Sequence, residues 1–381
     1  MIEKTHITSH ALREYLTEYK ILNTNGQYRP VAVGRYGIRT RESIYSKELA
    51  KDYSKNRLIF KNTLTVGMGS VQMDIGILTD DVIYSVSPAY HTYRINGIDC
   101  SYLRYCLQQK NADMFAKYMK RGSRQGKSID LSRWIDYEIP VYPSEEQKEI
   151  VHSLDVVSTI IEQRLNELKR LDELIKARFV EMFGNAENGE SKYPLALLGN
   201  LAAKISDGVH AKPEYTESGR PFLSVVNINQ KKVDFTDCKY VSEEAYQKMI
   251  KSTYPEKGDV LYTKVGATYG IPAYVDTDTE FCLYVSVCLI KPDHNKINSR
   301  FLAIQMDTPF VKHQADKRIK GIGVPDLHLN QIKEFQIVCP PRQLQDEFVE
   351  FVKQIDKSKF VKPLQLLYNL QRLITNREVS P

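Results

Sequence analysis

Residues 129–151 read IDLSRWIDYEIPVYPSEEQKEIV and residues 327–349 read LHLNQIKEFQIVCPPRQLQDEFV. Set over one another at an offset of 198, they match at Leu131/Leu329, Ile139/Ile337, Pro143/Pro341, Gln147/Gln345, Glu149/Glu347 and Val151/Val349. They are chemically alike at Asp136/Glu334, Tyr137/Phe335 and Ile150/Phe348. Six identities in 23 positions stand above the roughly one or two that composition alone supplies. The chain is written twice. At an offset of 199 the correspondence extends upstream: YLRYCLQ at 102–108 faces FLAIQMD at 301–307, Arg121-Gly122 faces Lys320-Gly321, and Val66-Gly67 faces Val265-Gly266. Downstream, LKRLDELI at 168–175 faces LYNLQRLI at 367–374, with three leucines and an isoleucine in step. The order is globule, helix, globule, helix, with boundaries at 1–143, 144–185, 186–341 and 342–381.

The helices follow from periodicity. After Pro143, Ser144 with Glu145 and Glu146 supplies a start, and Ile150, Leu154, Val157, Ile161, Leu165, Leu168, Leu171 and Ile175 recur at three- and four-residue steps. The stripe runs to about Phe183-Gly184, where Gly184-Asn185 stops it. About 40 residues at 1.5 Å each make a rod of roughly 60 Å. The second rod carries Leu344, Phe348, Phe351, Ile355, Leu366, Leu370 and Leu373, and Pro363 predicts a kink there.

The globules carry β-branched and aromatic runs bounded by Gly, Pro, Asp and Lys. Strands are predicted at 221–229, 259–266, 271–275 and 281–290 of the second globule, followed by a helix from about 299 to 313 and a glycine-rich loop at 320–325. The first globule predicts strands at 58–67, 75–78 and 82–86, then a helix at about 99–120. The fold class is α+β: two mixed globules separated by two long helices. Packed as an antiparallel coiled coil, the helices give approximate two-fold symmetry within one chain and set a fixed distance between two binding surfaces.

The 381 residues carry 53 Lys+Arg and 47 Asp+Glu, a net charge of +6. The surplus is uneven: residues 1–143 hold 21 basic against 14 acidic side chains, 144–185 hold 6 against 9, 186–341 hold 19 of each, and 342–381 hold 7 against 5. A basic first globule permits a polyanion partner. No apolar run reaches the roughly 18–20 residues needed to span a bilayer, so no membrane is expected and the compartment is read as cytoplasmic. Cys100, Cys106, Cys238, Cys282, Cys288 and Cys339 show neither CxxC pairing nor zinc-ligand spacing and are read as free thiols. A duplex carrying two short elements at fixed spacing matches a doubled protein, because half-site spacing mirrors protein geometry.

The doubled motif IPVYPSEEQKEIV and IVCPPRQLQDEFV, with GDVLYTKVGATYG upstream, resembles the specificity subunit of type I restriction-modification systems. The resemblance covers nearly the whole chain and is weakest over residues 1–57. It implies two target-recognition domains, two helical spacers, and assembly on double-stranded DNA with methyltransferase subunits and a motor-nuclease subunit. Two departures bear on the partner faces: Arg342-Gln343-Leu344-Gln345 lacks the glutamate that precedes glutamine in the first copy, and Pro363 interrupts the second spacer.

Candidate DNA contacts are basic, amide and aromatic side chains in glycine-bearing loops, since Arg and Lys suit phosphates while Arg and Gln also read base edges. The densest cluster is Lys117, Lys120, Arg121, Arg124, Gln125 and Lys127, echoed in the second copy by Lys312, Lys317, Arg318 and Lys320. The plainer reading is a solvated basic loop. A second pair is Lys264 and Tyr269 in TKVGATYG, and Gln72 in the first copy, against the alternative of a tight hairpin turn. His210 and Lys212 follow Ser206-Asp207-Gly208, and Arg35, Tyr36, Arg39 and Arg41 line a basic stretch of the first globule. The acidic face of the first rod is either a solvated face or a docking surface for catalytic subunits.

No Asn/Asp-Pro-Pro-Tyr/Phe tetrapeptide of an adenine methyltransferase is present, and no GxxxxGK[ST] loop for ATP. Glu146-Gln147-Lys148 has nuclease-like spacing but opens a helix with no acidic partner in the preceding strand, which favours a structural role. The sequence therefore reads as a non-catalytic recognition subunit without a cofactor of its own. The rival is a stand-alone DNA-binding regulator or a scaffold whose rod bridges two proteins.

Overall fold

The computed structural model describes residues 8–34, 37–44, 52–122, 126–229, 231–319 and 323–359. The chain divides into two compact units, with the change at Asn166/Glu167, inside the first long helix.

In the first unit four antiparallel strands lie in the order Leu16–Tyr19, His91–Ile95, Thr63–Met68, Met73–Leu78. One face turns Leu64, Val66, Met73, Ile75, Tyr93 and Ile95 into a core. The helices Cys100–Gln109 and Asn111–Tyr118 close it with Leu103, Leu107, Met114 and Tyr118. Trp134 seals the end, its ring 5.9 Å from that of Tyr93 and its Nε1 donating to Met114 Sδ. The single helix predicted at 99–120 is broken at Lys110. There the Asn111 amide turns into the sheet and pairs with both backbone groups of Met73, at 2.8 and 3.0 Å.

The second unit repeats this plan. Its strands run in the order Ala202–Asp207, Val287–Pro292, Val260–Thr263, Pro272–Tyr274, again antiparallel throughout. Helices Ser299–Met306 and Pro309–Arg318 cover the face that carries Val260, Tyr262, Cys288 and Ile290. The helix predicted to 313 stops at Met306 because Thr308 caps a new one with Pro309 in its first turn. The run predicted as one strand at 281–290 is two: Cys282–Leu283 pairs in parallel with Arg220–Leu223, and Val287–Pro292 enters the four-stranded sheet. In each unit a short strand before the sheet pairs with the strand that precedes the long helix: Thr8–Ala11 with Glu138–Val141, and Leu195–Leu197 with Gln336–Val338.

Pleat geometry corrects one sequence match. Leu64 and Val66 face the helix-covered core, as do Val260 and Tyr262, whereas Leu261 faces the opposite cluster. Side chains alternate along a strand, so the copies superpose here only at an even offset. The odd offset that set Val66-Gly67 over Val265-Gly266 is one residue out of phase.

The first long helix is Ser144–Phe183, and Gly184 ends it in the left-handed region at φ 80°. The second is described over Arg342–Lys359; the kink predicted at Pro363 lies outside the described residues. Within the second unit the two helices run antiparallel. Phe183 and Phe179 each meet Phe348 at 5.5 Å between ring centroids, and eleven residues earlier on one helix and later on the other Asp172 meets Lys359 at 2.7 Å.

The repeated glutamine explains itself. Gln147 is buried, accepts from the Asp99 backbone N–H at 3.0 Å and donates to the Tyr142 carbonyl at 2.7 Å. Gln345 is buried, accepts from the Asn298 N–H at 2.8 Å and donates to the Pro340 carbonyl at 2.8 Å. Asp99 and Asn298 are the N-caps of Cys100–Gln109 and Ser299–Met306. Each long helix is thus stapled by its first turn to the start of the helix covering the sheet, and a buried polar group demands such pairing.

Candidate nucleic-acid interface

The sequence-derived candidates separate into exposed groups, groups used internally, and groups outside the described residues. Arg35, Arg124, Gln125 and Lys320 fall outside, as does the side chain of Arg121. The basic loop of the first unit is a hairpin, Met119–Gly122 with Gly126–Ile129, in which Arg121 stands opposite Lys127. Lys117 and Lys127 are exposed, and the Lys117 ammonium lies 5.3 Å from the Tyr118 ring centroid. Lys120 is exposed but its Nζ is 2.6 Å from Oδ2 of Asp130. The hydrogen bond from Lys120, then that from Ser132, holds the Asp130 carboxyl below the usual carboxylate range.

Arg39 is exposed on the strand Gly37–Thr40, and Arg41 is half-buried with its guanidinium 5.3 Å from the Tyr53 ring centroid. Gln72 sits half-buried in the turn between two sheet strands. That turn is tight: a Cβ on Gly69 would stand 2.2 Å from the Gln72 carbonyl oxygen. The glycine is required by turn geometry here.

In the second unit Lys264 is a correction to the sequence reading. It is 4% exposed and therefore no surface contact. Its ammonium lies 3.3 Å from Asp326 Oδ1 and 3.6 Å from Asp207 Oδ2, tying three chain segments together. Burial pushes the Asp207 carboxyl above its ordinary pKa despite the opposing pull of Lys264. A charged chain at a strand end looks like a surface group in sequence; only the two aspartates, brought from 57 and 62 residues away, make it a core group.

Tyr269 is also used internally, its hydroxyl donating to Asp316 while the Lys312 ammonium sits 3.3 Å from its ring centroid. Arg318 is half-buried, donates to the Gln314 and Glu334 carbonyls, and lies 5.4 Å from the Phe335 ring centroid. Lys317 is exposed, with no ion pair among the described residues. His210 and Lys212 are exposed on the loop that follows Gly208. A Cβ on Gly208 would lie 2.2 Å from the Leu283 carbonyl oxygen, so glycine lets this loop press against the neighbouring strand.

Beside that loop lies a cleft of about 400 Å³ that sequence reading missed. Tyr215, Phe222 and Tyr284 form its wall, with successive ring centroids 5.8 and 5.9 Å apart. Lys212 and Lys239 stand at its edge, 5.8 and 4.3 Å from the Tyr215 ring centroid. Ser286 lines it, 7% exposed, and its Oγ has no hydrogen-bond partner among the described residues. The parallel pairing of Phe222 with Cys282 gathers these groups, and no local sequence signal announces a non-local pairing.

What the residues define is a doubled α+β recognition fold: one sheet-and-helix plan used twice, each copy followed by a stapled long helix. Comparison with known proteins agrees. The family model for the type I restriction modification DNA specificity domain matches twice, at residues 13–170 and 203–365. The chain belongs to that family. It is 22% identical over 279 residues to the type I restriction enzyme MjaVIII specificity subunit of Methanocaldococcus jannaschii, covering 68% of this chain and 64% of that one. It is 22% identical over 246 residues to the EcoBI specificity subunit of Escherichia coli, covering 58% and 52%. The matches thus span about half to just under two thirds of the curated relatives. Among solved structures, the type I restriction-modification S subunit from M. genitalium shares the fold with a TM-score of 0.56 at 16% identity, over 98% of this chain and 96% of that one. A structure described as the basis of complex assembly and conformational transition of the type I R-M system gives 0.52 at 15% identity, over 98% and 97%. Among the described residues no helix is long and apolar enough to cross a membrane, and no group of three His, Cys, Asp or Glu is placed to hold a metal ion.

Proposed function

We propose that the chain is the DNA-recognition subunit of a type I restriction-modification complex: a non-catalytic, cytoplasmic protein that binds a bipartite duplex target and directs methyltransferase subunits, and a motor-nuclease subunit, to it. The observation that carries this reading is the double match to the specificity domain, falling on two units that share one strand order and one glutamine staple. Two equivalent sheet-and-helix bodies in one chain suit two short elements of one duplex. Residues 1–143 and 186–341 act as the target-recognition domains, and 144–185 and 342–381 as spacers whose length sets the gap between the two elements. The exposed lysines Lys117, Lys127, Lys212 and Lys317, with His210, meet the DNA backbone.

Purification tests this against the rival of a solitary regulator or bridging scaffold. On the proposed reading the chain co-purifies with an adenine methyltransferase that carries the tetrapeptide missing here, and the complex protects two short elements separated by unprotected bases. A stable solitary protein that represses a promoter would overturn it.

A further inference from the structure

The cleft of the second unit combines three features that one kind of ligand uses together. A buried hydroxyl without a partner among the described residues is unfavourable, so an occupant that offers Ser286 Oγ a hydrogen bond is favoured over one that does not. The wall of Tyr215, Phe222 and Tyr284 suits an apolar or planar surface. The ammonium groups of Lys212 and Lys239 at the edge suit a phosphate. A bare anion would leave the rings unused, and a hydrocarbon would leave both the hydroxyl and the lysines unused. A nucleotide uses all three. The wall is also fastened to the loop that carries His210: Val209 donates to the Leu283 carbonyl at 2.8 Å, and Val285 donates to the Val209 carbonyl at 3.0 Å.

We propose that this cleft holds one nucleotide of the target duplex, its phosphate between Lys212 and Lys239, its sugar and base edge against the aromatic wall, and a base-edge atom hydrogen-bonded to Ser286 Oγ. The second unit then reads at least one base through this cleft. The inference rests on the DNA-recognition reading above and names where that reading is executed. Because the serine hydroxyl both donates and accepts, it pairs with any base edge, and the base preferred is the one whose matching atom falls at its depth.

The test uses the full chain, with the methyltransferase that co-purifies with it, and a duplex selected from a random pool. Lys212→Met and Lys239→Met each weaken selected and unrelated duplexes alike, and the double variant reduces the slope of log affinity against log salt by about 0.9, the share of one phosphate. Ser286→Ala leaves unrelated duplexes unchanged and lowers discrimination at one base position about fivefold. Both lysines are exposed, so their replacement leaves the fold intact and keeps the test decisive if the serine variant is unstable. Wild-type selectivity with all three variants indistinguishable from it would overturn the cleft assignment alone. Failure of the wild-type complex to select any duplex would overturn the recognition reading and the cleft with it. Tight, cleft-dependent binding of free deoxyadenosine monophosphate, with duplex binding untouched by the variants, would make this a small-molecule site and contradict the proposal.

Discussion

The two units share a skeleton and differ at one end of it. Both order four antiparallel strands the same way, both cover one face with two consecutive helices, and both fix a long helix with a buried glutamine. At the end of the central strand, however, the second unit buries Lys264 between Asp207 and Asp326, whereas the in-phase positions of the first unit hold Val66 and Met68. One copy closes this end with apolar packing, the other with an ion cluster that also pins the loops on either side. A duplicated recognition fold needs a constant frame and variable edges, and the interactions divide along that line.

The sharpest way to break the symmetry is Lys264→Met, which leaves the largely buried Asp207 carboxyl without its cation, while Asp326 stays partly in solvent. Losing one partner of a buried pair costs about 3 kcal/mol, and thermal denaturation of the full chain should show it in the second unit. The pH dependence has a definite sign. Burial raises the folded-state pKa of Asp207, so the native state holds that proton more tightly than the unfolded chain does. Acidification through the raised pKa therefore recovers part of the deficit, which is full at higher pH. A deficit that grows on acidification would contradict the buried-charge account.

The glutamine staples sharpen the comparison from the other side. Gln147→Ala and Gln345→Ala each leave a part-buried backbone N–H and a backbone carbonyl without their side-chain partner, so each costs about 1–2 kcal/mol. Since the bonding pattern is the same in both units, the two losses should agree closely when measured by denaturant titration. Widely different losses would mean that the two helix starts are not equivalent.

How much of this was legible in the sequence varies with the range of the interaction. The helix Ser144–Phe183 was, to within a residue or two at its end, because an apolar stripe, a start after Pro143 and a stop near Gly184 are all local. The repeat was legible because Gln147 and Gln345 are held by the same bonds and so stay identical. The strand Ala202–Asp207 was not foreseen: it reads AAKISD, mixes small and charged residues, and owes its place to pairing with Val287–Pro292. Among candidate contacts, Lys117, Lys127, His210 and Lys212 are exposed as their polarity suggests. Lys264 and Tyr269 are not free, because their partners come from distant segments. The cleft was invisible for the same reason, its rings arriving from residues 215, 222 and 284.

The most direct measurement is a methylome of cells that carry this chain together with the methyltransferase subunit proposed as its partner. The account predicts a methylated motif of two short defined elements flanking a run of unspecified bases, with a gap that shortens when four residues are removed from each spacer helix. A single continuous motif, or a gap indifferent to spacer length, would contradict it.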